Sequence, residues 1–209
     1  MLVALVIIGI VAALVISPLI NTYVESSTVA KVKKALSTVA QAKKLAETQN
    51  GPIIGWDFQG GNNFTSASQI WSYLKPHISV AKDCGANGDE CYQAETRYLK
   101  GDIYKTVQSS SSYRFILSDG SVMWLSSDAS KCEGVRPTTS NPAFTNVCGS
   151  FGIDVNGNKP PNTIGKDKFY FYLTVDGVYP IDYLDCRKTG DGWGCASYII
   201  KNSNMNYLH

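Results

Sequence analysis

Residues 2–20 read Leu-Val-Ala-Leu-Val-Ile-Ile-Gly-Ile-Val-Ala-Ala-Leu-Val-Ile-Ser-Pro-Leu-Ile, and Met1 to Ile16 contain no polar side chain. A run of about 20 apolar residues can cross a bilayer as a helix. A cleaved signal peptide would have basic residues before the run and a small-residue cleavage site, but the first Lys or Arg is Lys31. An ordinary membrane anchor usually has flanking positive charge as well. The pattern therefore favours a helix whose apolar end packs against copies of itself.

The helical pattern continues past the apolar run. No Gly or Pro occurs from Asn21 to Gln49, and Asn50-Gly51-Pro52 then provides a stop. Apolar residues recur along one stripe at helical spacing, namely Val29, Val32, Leu36, Val39, Ala40 and Leu45. The sequence thus predicts a helix of about 70 Å over residues 1–50. Residues 1–20 form its apolar segment, loosened or kinked at Pro18. Residues 21–50 are amphipathic and lie on a globular domain formed by residues 51–209.

Composition argues against several classes of function. The 209 residues have a net charge of +2 and no basic stripe, so nucleic-acid binding is not favoured. The two histidines are His77 and His209, which excludes a histidine-rich metal site and is a poor basis for a Ser-His-Asp triad. No nucleophile motif, phosphate loop or dinucleotide fingerprint is present. We therefore expect a protein that is not an enzyme and has no cofactor, with Ca²⁺ the one exception considered below.

The six cysteines indicate an oxidising compartment. They occur as three close pairs without a CxxC motif: Cys84 with Cys91, Cys132 with Cys148, and Cys186 with Cys195. Six cysteines allow many pairings, but each neighbouring pair encloses a polar or Gly-rich loop, so we expect three local disulfides. Buried free thiols are the alternative.

Two hairpins are predicted in the globular part. Ser118-Asp119-Gly120 separates the apolar runs 113–117 and 121–125, and Asp176-Gly177 separates 169–175 from 178–181. An Asp-Gly pair between two such runs is a strong hairpin signal. Together they predict an antiparallel sheet of about four strands behind the long helix, which is an α+β fold with disulfide-stapled loops.

The segment after the long helix contains two weaker signals. Residues 66–73 favour one or two helical turns, with Ile70, Trp71 and Leu74 packed inward. Asn63-Phe64-Thr65 is an N-glycosylation sequon, so Asn63 is a candidate glycosylation site.

One group of oxygen-bearing side chains could bind a metal. Asp154, Asn156, Asn162 and Asp167 lie among Gly and Pro residues, and oxygen ligands at alternate positions with a turning Gly suit Ca²⁺. A bidentate glutamate at the required offset is missing, so the segment is no EF-hand. The alternative is a loop of Asx-turns whose side chains cap backbone groups.

Aromatic residues alternate along Phe169-Tyr170-Phe171-Tyr172. In a strand one pair faces inward and the other outward. The usual meaning is a core on one face and a subunit contact on the other.

The N-terminal run from Val3 to Leu14 resembles that of type IV pilins and of the pseudopilins of type II secretion. The C-terminal half strengthens this likeness through Asp154-Val155-Asn156-Gly157, Pro161-Asn162, Gly165-Lys166-Asp167 and the aromatic run at 169–173. The resemblance covers about residues 1–50 and 150–208, and the middle third only loosely. Aligning Gly9 with the family glycine places Met1 near the sixth mature position. The family's leader, processed residue and fifth-position glutamate are then missing, so either the chain is truncated or its start was assigned too late.

The resemblance implies a type IV pilin fold and a structural subunit of an extracellular pilus, or fimbrium. Its helix would rest in the inner membrane as a single pass until the pilus assembly machinery extracts it, and would then pack against identical subunits in a helical filament. The implied polymerisation residues are Leu2, Val3, Leu5, Val6, Ile7, Ile8, Gly9, Ile10, Val11, Leu14, Val15, Ile16, Pro18, Leu19 and Ile20. The alternatives are a pseudopilin of a type II secretion system and a membrane-tethered minor pilin that acts in adhesion or DNA binding. Some pseudopilins hold calcium in a C-terminal loop.

Overall fold

The computed structural model describes residues 2–85, 91, 95–104, 111–136, 144–182 and 186–209, with side chains from Leu19 onward. Three α-helices are present in these ranges: α1 Leu2–Asn50, α2 Phe64–Leu74 and α3 Cys195–Asn202. The strands are β1 Val80–Gly85, β2 Thr96–Arg97, β3 Ile103–Tyr104, β4 Tyr113–Leu117, β5 Val122–Ser127, β6 Gly134–Arg136, β7 Phe144–Asp154, β8 Lys168–Thr174 and β9 Val178–Pro180. The fold is therefore α+β, with one long N-terminal helix and an antiparallel sheet.

The main sheet is larger than predicted. Its strands lie in the order β1-β4-β5-β7-β8-β9, with β6 paired to β7, and all of these pairs are antiparallel. β2 and β3 form a separate two-stranded sheet. The expected sheet of about four strands is wrong in size because the sequence analysis found only the strands beside Asp-Gly turns.

Both predicted hairpins are confirmed. β4 pairs with β5 from Tyr113 opposite Leu125 to Ile116 opposite Val122. β8 pairs with β9, with Leu173 opposite Val178. The predicted helical segment is confirmed as α2, which buries Ile70, Trp71 and Leu74.

The central strand β7 was missed because its sequence does not alternate as a strand usually does. It pairs with both β5 and β8 and contains Gly149 and Gly152. A Cβ on Gly149 would lie 2.4 Å from the carbonyl oxygen of Ser126, and one on Gly152 would lie 2.1 Å from the Trp124 ring. Close approach of neighbouring groups therefore demands glycine inside this strand.

Helix α1 packs on the domain through a narrower stripe than predicted. Its buried apolar residues are Val29, Val32, Ala35, Val39, Ala42 and Ala46. Leu36 and Ala40 are half-buried, and Leu45 is 51% exposed, so the predicted stripe is wrong at Leu45. Alanines and valines rather than leucines form the buried stripe, and the elements whose backbones lie near α1 include α2, α3 and β9. Helix α1 continues without a break through Pro18, where the sequence predicts a loosened or kinked segment.

Three lysines attach α1 to loops at the ends of strands. Lys31 Nζ donates to the Val155 carbonyl at 2.6 Å, and Lys34 Nζ lies 2.8 Å from Asp119 Oδ2. Lys43 is buried, and its Nζ donates to Glu47 Oε1 and to the Val175 carbonyl, both at 2.8 Å. The polar side of this helix thus holds turns that the apolar stripe does not reach.

Three disulfides join Cys84 to Cys91, Cys132 to Cys148 and Cys186 to Cys195, as the neighbour pairing predicts. Cys132 and Cys148 are both fully buried and tie the 3-10 turn Ser130–Cys132 to the middle of β7. Cys195 starts α3, so the third disulfide fixes the beginning of the C-terminal helix.

Candidate functional site

The four predicted metal ligands lie in and around the connection between β7 and β8. Asp154 is the last residue of β7, and Asp167 directly precedes β8. Adjacent antiparallel strands can be joined by a two-residue turn, so the excursion over residues 155–167 is far longer than pairing requires. Connections of this length inside a compact domain usually have a function of their own.

Asp167 holds this loop together. Its carboxylate accepts hydrogen bonds from the backbone N–H groups of Asn162 (2.8 Å) and Thr163 (2.5 Å). It also accepts from Asn156 Nδ2 at 3.2 Å, although Asp167 is only 3% exposed. The backbone N–H of Asn156 in turn donates to Asp154 Oδ1 at 3.3 Å. The four residues selected from the sequence therefore belong to one hydrogen-bonded network, which Asn162 joins through its backbone N–H.

Three buried oxygens in this network have no hydrogen-bond partner. They are Asp154 Oδ2, Asn156 Oδ1 and Asn162 Oδ1. Asp154 itself is 1% exposed. Buried polar atoms are nearly always paired, so water or another species from outside the chain has to satisfy these three acceptors.

The orientation of the Asn156 amide is fixed by its neighbours. Its Nδ2 donates to the Pro160 carbonyl and to Asp167 Oδ2, both at 3.2 Å. Both partners are acceptors, so exchanging the amide oxygen and nitrogen would place two acceptors against each other. The unpaired atom of Asn156 is therefore its oxygen.

Lys168 is a site residue that the sequence analysis missed. Its buried ammonium donates to Thr96 Oγ1 at 2.7 Å and lies 3.9 Å from Asp154 Oδ2, which is beyond hydrogen-bond distance. Its position next to Asp167 did not indicate a site residue, because a lysine at the start of a strand is often exposed to solvent. In this fold the lysine supplies one positive charge beside two buried carboxylates.

Burial disfavours the charged forms of all three groups. Burial, followed by the charge of Asp167, raises the pKa of Asp154 to about 8. Burial also raises the pKa of Asp167, and it lowers the pKa of Lys168. The positive charges of Lys168 and, for Asp154, of Lys31 act in the opposite direction and lower the pKa values of the carboxylates.

The part of the chain that the structure describes contains no group of three or more His, Cys, Asp or Glu side chains placed to bind a metal ion. The cluster in the 155–167 loop differs in kind, because it combines two carboxylates with two amide oxygens. Such oxygen donors suit a hard cation rather than a transition metal.

A second candidate feature is the part of α1 that precedes its first contact with the globular domain. From Leu19 onward, the first buried residues of this helix are Thr28 and Val29. Just before them, large apolar side chains are open to solvent: Leu19, Ile20, Tyr23 and Val24 are 64%, 54%, 75% and 53% exposed. The chain's last residue lies nearby, with His209 Nε2 3.0 Å from Glu25 Oε1.

The other predicted polymerisation residues, from Leu2 to Pro18, lie outside the residues whose side chains are described. Among the side chains that are described, no helix is long and apolar enough to cross a membrane.

The alternating aromatics of β8 pack on both faces of the strand. Phe169 and Phe171 lie in the main core. On the other face, Tyr172 packs with Phe144, and Tyr170 packs with Trp124 and Trp193 at ring-centroid distances of 5.3 and 4.3 Å. Tyr170 stays half-buried among these rings, and the expected subunit contact on this face stays a prediction.

The predicted glycosylation residue has a structural role as well. Asn63 is the N-cap of α2, where its Oδ1 accepts from the Ser66 backbone N–H at 2.9 Å. Its Nδ2, the atom that would accept a sugar, donates to the Gly60 carbonyl at 2.9 Å. Glycosylation of Asn63 remains a prediction from the sequon alone.

No protein-family model, curated protein or solved structure matches this chain.

Proposed function

We propose that this protein is a structural subunit of an extracellular type IV pilus-like filament, with a type IV pilin fold. The observation that supports it best is the exposed apolar segment of α1 just before the helix packs on the globular domain. Leu19, Ile20 and Val24 lie on the described helix just before it enters the body, and each is more than half exposed. The apolar run of residues 2–18 precedes them in the same helix.

Covering the apolar side chains of such a helix with another apolar surface lowers the free energy of the system. Full burial of a Leu or Ile side chain contributes roughly 1.5–3 kcal/mol. Packing of the apolar half of α1 against copies of itself would therefore offset its extraction from lipid. Before assembly the same segment would rest in the inner membrane, from which the pilus assembly machinery would withdraw it.

The two halves of α1 have different roles in the proposed filament. The second half is fixed to the domain by buried alanines and valines and by Lys31, Lys34 and Lys43. A helix fixed at one end and apolar at the other gives a head-to-tail contact, in which different surfaces of neighbouring subunits meet. Contacts of this type do not close, so they produce helical filaments. The disulfides are consistent with an oxidising location for the head domains.

The proposal is tested by electron microscopy of material sheared from producing cells, with mass spectrometry of the subunit. Filaments a few nanometres wide that contain this chain are expected. Ile20→Glu should abolish them, because it places a charge in the packed helical core. Val135→Glu is the matched control: Val135 is 60% exposed on β6 of the head domain, so filaments should persist.

Two results would overturn the proposal. One is normal filament formation by Ile20→Glu. The other is recovery of the chain from the membrane fraction only, without filaments, which would instead favour a pseudopilin or a tethered binding protein.

A further inference from the structure

Lys168 and Asp154 bring a buried amine and a buried carboxyl group together across two neighbouring strands. Asp154, the last residue of β7, lies directly opposite Lys168, the first residue of β8. Residues opposite each other in an antiparallel pair have Cβ atoms about 4.5–5.5 Å apart, on the same face of the sheet. Asp154 is 1% and Lys168 is 6% exposed, so the fold encloses the two groups together.

The contact between these groups is not a hydrogen-bonded ion pair. Lys168 Nζ lies 3.9 Å from Asp154 Oδ2, and this oxygen has no hydrogen-bond partner among the described residues. Lys43, which is also buried, shows the usual arrangement, with Nζ 2.8 Å from Glu47 Oε1. A buried pair without such a hydrogen bond recovers little of the cost of taking two charges out of water.

The carboxylate of Asp167 favours the neutral forms of Lys168 and Asp154. Its own negative charge is stabilised by the backbone N–H groups of Asn162 and Thr163. It repels a second negative charge on Asp154. Transfer of one proton from Lys168 to Asp154 removes this repulsion, and it leaves a neutral amine beside a neutral carboxylic acid.

We propose that Lys168 and Asp154 condense to an isopeptide bond within the chain. The lone pair of Lys168 Nζ attacks Asp154 Cγ, and the new carbon–nitrogen bond forms as the bond from Cγ to Oδ2 breaks. Oδ2 leaves as water with the proton of the acid and one proton from Nζ, so an amide remains. The reaction needs no oxidant, reductant or further reactant.

The fold provides the proximity that this reaction lacks in solution. Groups held in a reactive arrangement reach effective molarities of roughly 10⁵–10⁸ M. Nζ is held on one side by its hydrogen bond to Thr96 Oγ1 at 2.7 Å, and Asp154 Oδ1 accepts from the Asn156 N–H. Oδ2 is therefore the oxygen that is free to leave. In the free acid this atom needs a partner from outside the chain, whereas condensation removes it.

The test is the mass of the full chain, purified in detergent. The mass before reduction shows whether all three disulfides have formed, which identifies folded protein. After reduction and denaturation, most molecules should be lighter than the expressed sequence by one water molecule. Trypsin should then yield residues 132–166, which contain Asp154, joined to residues 167–187, in which Lys168 is not cleaved.

Lys168→Met and Asp154→Ala should each restore the full mass. Lys166→Met is the matched control: Lys166 lies in the same loop but is exposed, so the loss of water should persist. A succinimide at Asp119-Gly120 or Asp176-Gly177 would also remove one water molecule. That loss would remain in Lys168→Met, which separates the two reactions.

Two results would overturn the proposal. One is a chain with three disulfides that has its full mass after reduction, and the other is a loss of water that Lys168→Met retains. If the variants do not fold, the tryptic peptides of the parent chain still decide, because only the isopeptide bond joins the two peptides after reduction. The outcome does not depend on whether the chain forms filaments.

Discussion

Gly152 lies directly opposite Trp124 across the β5–β7 pair, and the indole occupies the space that a side chain at position 152 would need. The indole is held in place by Tyr170, whose ring centroid is 5.3 Å away. The fit between these two residues explains why the central strand contains glycine where a β-branched residue would normally be favoured.

This fit predicts that Gly152→Ala is destabilising. The free energy of unfolding should fall by roughly 1–3 kcal/mol, because the new methyl group overlaps the indole. Urea denaturation of the single variants and of the double variant with Trp124→Ala checks the cause. In the Trp124→Ala background the alanine should be nearly neutral, since the overlap is gone. An equal cost in both backgrounds would show that the backbone, rather than the indole, requires glycine.

Lys43→Met should destabilise the chain, whereas Lys44→Met should not. Lys43 is buried and donates to Glu47 and to the Val175 carbonyl, so its loss leaves that carbonyl without its lysine donor and Glu47 with the Ile53 N–H but no ion pair. The expected loss in the free energy of unfolding is about 1–3 kcal/mol. Lys44, the next residue, is exposed and provides the matched control in the same denaturation experiment. Equal effects of the two substitutions would argue against the anchoring role of Lys43.

Replacing Cys132 and Cys148 by alanine should cost more than replacing Cys84 and Cys91. The first pair is fully buried and closes the longer loop, with sequence separations of 16 and 7 respectively. The expected loss for the first pair is about 2–4 kcal/mol. Urea unfolding without reductant measures both double variants. The reverse order would mean that burial of the first pair contributes little.

Alkaline pH should weaken the fold through Tyr113. Burial, then the neighbouring Asp83 carboxylate, raises the pKa of Tyr113 to about 12. The unfolded chain loses this proton near pH 10, so the stabilisation is complete below pH 10 and is lost as the pH rises towards 12. The midpoint of urea unfolding should therefore fall more steeply from pH 9.5 to 11.5 in the parent chain than in Tyr113→Phe. Parallel curves for the two proteins would contradict this shift.

Local sequence signals predicted those elements of the fold that neighbouring residues determine. Asp119-Gly120 and Asp176-Gly177 identified two hairpins, and Asn50-Gly51-Pro52 identified the end of the helix. The centre of the sheet could not be predicted in this way. The glycines of β7 have a reason only in the neighbouring strand, where Trp124 and the Ser126 carbonyl approach them.

In the candidate site too, the local sequence predicted some residues, while others depend on neighbours that are distant in sequence. The sequence pattern selected Asp154, Asn156, Asn162 and Asp167, which the structure joins in one network. It did not select Lys168, because a lysine at the start of a strand is ordinarily solvated. Thr96, distant in sequence, and the carboxylates of Asp154 and Asp167 keep this ammonium inside.

The lysine contacts of α1 determine how the molecule would respond to tension. Lys31, Lys34 and Lys43 contact three separate loops, each at the end of a strand. A pull along the helix axis would load these contacts side by side, in shear, together with the buried alanine and valine stripe. Simultaneous loading resists force better than contacts that open one after another. The helix could therefore withstand strong pulling although none of its individual contacts is strong.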